Sequence, residues 1–290
     1  MPLTLLRHAT QKPPTGTLAL DLDHPLAQGL VFAPPWNEGA GTSSWEPAQR
    51  VSSSAWTGVF GNIPLWTSGR FGAALAVKGA RIEYPALAVW NLQRFTMSAW
   101  LFIDPADSGQ NRSLFCGSAS SGYEYRINSS NVQELLNSSV ASLGTSSSAP
   151  PTGVWTHVAL SYDGTTVRFY LNGNADGTAS GSATFSSYVS LALAMRQDGN
   201  EYPTQPGSLM DLPRMHNRVL AQAEIQQLMA EPMAVYAPRT LQRWLVVISG
   251  GTAATRDTST RFNLAPPPFV APDVASSTYR PAGWNSGWGR

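Results

Sequence analysis

The acidic residues, the histidines and the single cysteine are the groups that could do chemistry, and their spacing limits what each can do. Glycoside hydrolysis needs two carboxyls flanking the bond, about 5–5.5 Å apart for retention and further apart for inversion. On a strand that appears as acidic residues at i, i+2 or i+4, and no segment that reads as a strand carries it. Asp21 and Asp23 are two apart, but they lie in a polar lead-in with Leu22 and His24. Glu83, Asp104, Asp107, Glu124 and Glu134 stand alone. Calcium needs six to eight oxygens. Asp163 reads as an Asx-turn residue, and Asp198-Gly199-Asn200-Glu201 is the most metal-like run. A structural calcium near Asp198 or Asp211 is compatible with the sequence, but a plain polar loop is favoured. No histidine pair has the i, i+4 spacing of a zinc site on a helix. Cys116 is the only cysteine, so no internal disulfide forms, and no base is placed beside it. There is no G-x-S-x-G elbow, and Gly250-Gly251 lacks the lysine of a phosphate cradle. The expectation is a chain that is not an enzyme and carries no cofactor.

Binding is better served. Trp36, Trp45, Trp56, Trp66, Trp90, Tyr123, Tyr125 and Tyr202 can stack on sugar faces if exposed, or fill a core if not. Charge is scarce: 13% of residues are charged and the net charge is +1. That excludes a basic nucleic-acid binder and gives no long-range steering. The longest strongly apolar run in the second half, Trp244–Ile248, is far short of a bilayer span, so no membrane partner is expected. Met1–Thr17 has no apolar run of secretory-signal type, which predicts synthesis in the cytoplasm without export through a secretory pathway; whether the chain later leaves inside a larger particle is a separate question.

The strongest scaffold signal is Val154–Tyr162. Val154, Val158, Leu160 and Tyr162 share one face by the period of two, with Thr156 the exception. Trp155, His157, Ala159 and Ser161 share the other, where His157 reads as a structural histidine, packing or hydrogen-bonding. Asp163-Gly164-Thr165-Thr166 turns the chain, Val167, Phe169 and Leu171 alternate with polar neighbours, and Asn172-Gly173-Asn174 turns it again. That is a β-meander. Phe95–Ile103 predicts a strand with Phe95, Met97, Ala99, Leu101 and Ile103 toward a core. Ala221–Glu231 predicts a helix: Ile225, Leu228 and Met229 form one stripe, Glu224 favours the positive dipole end, and Pro232 stops it. Ser138–Ser148, running on to Pro150-Pro151, reads as a loop.

Five segments, in order, resemble the laminin G-like/concanavalin A-like jelly-roll domains. They are His24–Phe32 with Asn37–Gly41, Gly69–Leu75, Phe95–Trp100, Trp155–Ala159 through Tyr170–Gly173, and Gly207–Arg214 through Leu220 and Glu224-Ile225. The closing segment departs from the pattern. Leu212-Pro213 follows Asp211, and Pro213 removes a ladder donor, so that strand is expected at an edge or bulged. The resemblance implies an all-β, two-sheet antiparallel sandwich with one short C-terminal helix and extended arms at both ends. The expected organisation is an arm over 1–24, the jelly-roll domain over 25–232 and an extended assembly arm over 233–290.

The opening "HPLAQGL…NEGAG" and the C-terminal Pro/Arg/aromatic segment also resemble tailed-bacteriophage virion proteins bearing such a module. Residues 233–290 hold six Pro, and six Arg against two Asp. Trp244, Leu245 and Val247 form a β-prone run able to add a strand to a sheet edge. Phe262, Phe269, Tyr279, Trp284 and Trp288 are the type of residue that anchors an extended segment in a groove. The segment either folds back on its own body or reaches a neighbouring subunit. The resemblance implies a virion structural protein (a capsid decoration, fibre-base or tail-associated part). Its partners would be capsid or tail subunits and copies of itself. The alternative is a carbohydrate-binding module for host-surface glycans.

Overall fold

The computed structural model describes residues 12, 18–40, 43–49, 51–52, 54–56, 65–76, 81–107, 109–117, 122–137, 139–183, 185, 190–194, 207–238, 244–246 and 254–256. The chain divides into two compact units, Met1–Arg239 and Thr240–Arg290. In the first, two antiparallel sheets stack face to face. One runs, in spatial order, Ser142–Thr145, Gln133–Leu136, Glu124–Ile127, Arg112–Cys116, Leu191–Leu193, Arg81–Tyr84 and Ser54–Trp56. The other runs Asn174–Ser180, Thr166–Leu171, Trp155–Tyr162, Phe95–Phe102, Leu209–His216, Ala73–Ala76 and Leu65–Ser68, with Leu30–Phe32 also paired to Leu209–His216.

The alternation decides which side chains meet. Phe95, Met97, Ala99, Leu101, Val158, Leu160, Tyr162, Val167 and Phe169 face Ile82, Tyr84, Phe115, Tyr125 and Leu135 in one dry core. Phe95 lies at its centre, 5.5 Å from the rings of Tyr123 and Tyr162 and 5.7 Å from Phe185. Val154, grouped with this set by the alternation, precedes the strand and is exposed. Asn172-Gly173 is a two-residue hairpin loop with φ of 49° and 75°, the left-handed pair that matches the twist of its strands. The Ser-rich stretch read as a loop contains an edge strand, Ser142–Thr145, because Leu143 packs against the core.

The outer face of the eight-stranded sheet is also covered. Trp100, Ala159 and Tyr170 form a second apolar layer with Ile225 and Leu228 of the helix Gln222–Ala230, and with Leu26, Phe71, Met233, Val235 and Tyr236. Glu224 accepts the Ala221 N–H at 2.8 Å, which is half of a capping box, because Ala221 offers no side-chain acceptor. The flanks join this layer: Leu18–Leu20 pairs with Tyr236–Pro238. Leu209–His216 is interior, so Pro213 is tolerated by a bulge. Asp211 opposes Trp100 and Arg214 opposes Ser98, leaving two residues against one, with Leu212 at φ 44°.

Replacing Phe95 with Ala should cost about 3–5 kcal/mol, read as a lowered urea midpoint. Two buried histidines set the acid limit. Desolvation holds His157 down at about 3, with Arg214 adding to it, and holds His216 at about 4, below the ordinary 6.5. Protonation therefore favours the unfolded chain. The stability that depends on these two histidines is fully present above pH 6.5 and falls as pH drops toward those values, by about 1.4 kcal/mol per pH unit for each histidine. Urea midpoints from pH 7 to 4.5 should decline, and His216→Gln should flatten the slope by the share of one proton.

Candidate functional site

Trp45 is the exposed tryptophan among the described side chains, 42% accessible. Trp36, Trp90, Tyr123 and Tyr125 are buried in the core and Trp66 packs against it. Trp56 has its backbone in register with Arg81, but its side chain and Tyr202 lie outside the described residues. Trp45 stands on a short hairpin, Trp45–Glu46 against Val51–Ser52. Two glutamates fix that hairpin. Glu38 accepts the Trp45 N–H at 2.8 Å, and buried Glu46 accepts the N–H groups of Ala33 at 2.8 Å, Ala48 at 3.0 Å and Gln49. Burial raises the Glu46 pKa, and the three backbone donors oppose that shift. The Ala33 carbonyl in turn accepts the Tyr236 hydroxyl at 2.8 Å.

Beside the indole lies a cavity of about 320 Å³ lined by Leu18, Ala19, Leu20, Leu22, Trp45, Pro47 and Ala48. That volume is at the lower end of small-ligand sites. Leu22, 77% exposed, is flanked in the chain by Asp21 and Asp23, the pair singled out from the sequence. A half-exposed indole beside a shallow apolar wall makes a surface for a ligand with an apolar face.

The carboxylates that stand alone in sequence share one face of the seven-stranded sheet. Ile82, Tyr84, Tyr123, Tyr125 and Leu135 point into the core, so Glu83, Glu124 and Glu134 point outward. Glu83, Ala192, Cys116, Glu124 and Leu136 form one cross-strand row. The alternation around each glutamate gives its facing, but the strand order that aligns them is not in the sequence. Glu83 and Glu124 are three strands apart, about 14 Å at the usual strand spacing, too far to flank one glycosidic bond. Glu83 is bound by Arg81 at 2.9 Å and by the Ser190 hydroxyl, and Glu134 by Arg126 at 2.9 Å.

Other acidic candidates hold the scaffold. Asp163 Oδ1 accepts the N–H groups of Thr165 and Thr166 at 3.0 and 2.8 Å, as an Asx-turn residue does, and Arg168 pairs with Oδ2 at 2.7 Å. Asp107 and Arg112 form a fully buried ion pair at 2.9 Å, joined by the Ser208 hydroxyl at 2.6 Å. Asp211 takes the ammonium of Lys12, a residue to which the sequence reading assigns no role. Asp198 lies outside the described residues, and among those described no group of three His, Cys, Asp or Glu gathers for a metal. Of the assembly candidates, Trp244 and Leu245 lie on a strand, Trp244–Val246, paired with Ala254–Arg256 of the same unit. Val247, Phe262, Phe269, Tyr279, Trp284 and Trp288 lie outside the described residues.

Comparison with known proteins agrees with this architecture. Domain 4 of AbnA, a GH43 extracellular arabinanase from Geobacillus stearothermophilus solved in complex with arabinotriose, superposes with TM-score 0.55 at 17% identity, over 69% of this chain and 98% of that one. The binding domain of Paraclostridial Mosquitocidal Protein 1 gives 0.53 at 14%, over 70% of this chain and 52% of that one. A mutant Trypanosoma rangeli sialidase displaying trans-sialidase activity gives 0.53 at 15%, over 79% and 37%. The chain thus spans about half of the mosquitocidal binding domain and little over a third of the sialidase, and at these identities the likeness is one of fold. No curated protein matches it in sequence. The Laminin_G_3 family, described as the concanavalin A-like lectin/glucanases superfamily, matches residues 78–226, just over half the length. With two stacked antiparallel sheets and a helix closing the outer layer, the chain belongs to that family.

Proposed function

We propose that the chain is a non-enzymatic carbohydrate-binding sandwich that stacks a sugar ring on Trp45. The observation that carries this is the indole itself. It is the exposed tryptophan among the described residues, the backbone that carries it is held by Glu38 and Glu46, and it stands beside the cavity. A pyranose or furanose presents an apolar C–H face to an aromatic ring, while its hydroxyls seek acceptors such as Asp21 and Asp23. A platform held by buried hydrogen bonds loses little freedom on binding. The arabinotriose complex of the AbnA domain supports an oligosaccharide as the ligand class. A screen of the full chain on immobilised host polysaccharides should give a binder. Trp45→Ala should weaken it at least tenfold with an unchanged urea midpoint. A blank screen, or full binding by the variant, contradicts the reading.

The make-up of the second unit favours a further element. Thr240–Arg290 is rich in Pro, Arg and aromatic residues and poor in acid. Ordering such a segment costs about 1–2 kcal/mol per residue in backbone entropy, which contacts elsewhere have to offset. We infer that this unit mounts the sandwich on a particle, as a virion structural protein made in a host cytoplasm: a capsid decoration, fibre-base or tail-associated part. Capsid or tail subunits and further copies of the chain would be its partners, held through the aromatic anchors. A chain truncated after Arg239 should fold with a wild-type urea midpoint, bind the same glycan and fail to enter the assembled particle. Normal incorporation would remove this element and leave the glycan reading intact.

A further inference from the structure

A second hollow, of about 490 Å³, is lined by Gly39, Thr67, Ser68, Gly69, Gly72 and Ala73. It lies close to Trp45. Glu38, the chain neighbour of Gly39, accepts the Trp45 N–H at 2.8 Å, so one side chain and one peptide unit separate the two backbones. The floor of the hollow is bare peptide. Gly39 and Gly72 hold φ of 67° and 127°, a conformation that favours glycine. A Cβ at Gly39 would meet only the Ala73 Cβ, at 3.8 Å, so a longer side chain there would enter the hollow. The edge strand supplies polar groups. Leu65–Ser68 ends the eight-stranded sheet and pairs with Ala73–Ala76 on one side, so peptide groups on its outer side have no ladder partner among the described strands. Ser68 is exposed and stands opposite Ala73, so its hydroxyl shares the face of the methyl that approaches Gly39. Among the described residues that hydroxyl has no hydrogen-bond partner. Behind the floor the Lys12 stem stands 3.5 Å from the place of a Gly72 Cβ, and its ammonium is spent on the carbonyls of Trp36 and Ala73 and on Asp211. Among the described residues no lysine, arginine or histidine lines either hollow.

The two hollows differ in chemistry. Trp45 offers an aromatic face to the C–H side of a ring, whereas the second hollow offers a hydroxyl, unpaired peptide groups and no charge, which suit the hydroxyl edge of a sugar. We propose that the second hollow is a further subsite, so that the chain takes a neutral oligosaccharide of at least two units: one ring stacked on Trp45, the next edge-on over Gly39 and Ser68. The inference rests on the Trp45 reading, which supplies the first ring. The volume is that of a small-ligand site. Its polar groups are held by a strand and a glycine turn before any ligand arrives, so the second unit adds contacts with little added ordering cost.

The test uses the full chain and a ladder of one to four sugar units cut from the polysaccharide that the screen retains, with affinities read from amide shifts in NMR titrations. Affinity should rise roughly tenfold between one unit and two or three, the worth of about two net hydrogen bonds. Gly39→Asn places a side chain in the hollow on a residue type that tolerates positive φ, and it should bring that ratio near one. Ser68→Ala should lower the ratio by about threefold. If Gly39→Asn does not fold, the wild-type amides of Gly39, Gly69 and Gly72 decide: shifts with the longer sugars and none with the single unit support the subsite. Equal affinity along the ladder, a wild-type ratio in both variants, or silent glycine amides overturn it. Where Trp45→Ala still abolishes binding, such a result removes the second subsite and leaves the platform standing. A blank polysaccharide screen removes both.

Discussion

A buried peptide group needs partners for both its donor and its acceptor, and at Ala33 side chains supply both. Glu46 takes the N–H and Tyr236 donates to the carbonyl. Glu46 comes from the hairpin that carries Trp45, and Tyr236 from the segment that pairs with Leu18–Leu20. One buried residue thus ties the hairpin that carries Trp45 to the segment that pairs with Leu18–Leu20, which lines the cavity beside the indole. The cost of leaving either Ala33 group unpaired fixes the position of the platform, so the site is preorganised.

The layering explains where a ligand can meet the protein. The inner faces of both sheets are consumed by the aromatic core, and the outer face of the eight-stranded sheet by the helix and the flanking segments. On the outer face of the other sheet, Glu83 and Glu134 are held by arginines, while Cys116, Glu124 and Ala192 are buried. In the proposed reading, contact with a glycan falls to the hairpin that carries Trp45. Rim loops on a rigid sandwich can vary without disturbing the core, and there the exposed aromatic stands.

Local pattern carried the framework and long-range pairing carried the site. The meander at 155–180, the core set of Phe95–Ile103 and the helix stripe are legible because alternation and turn chemistry are local. Pro213 marks an edge or a bulge for the same reason, since a residue without an N–H cannot complete an interior ladder, and the strand's interior place leaves the bulge. Trp45 could not be distinguished from Trp36, only nine residues away, because exposure depends on which strands close over each ring. Nothing in the sequence sets Glu46 apart; its role rests on three backbone donors that only the fold brings to it. Lys12 has no local signal at all: its partners lie 24, 61 and 199 residues away.

The account turns on the Trp45 indole as the point of contact with sugar. Indole Nε1–H resonances, assigned by single Trp→Phe substitutions and followed while an oligosaccharide ligand is titrated, test this most directly. The account predicts a saturable shift of the Trp45 resonance together with backbone shifts at 18–22 and 47–48, while Trp36 and Trp90 stay still. A saturable shift at any other tryptophan with Trp45 unmoved would contradict it.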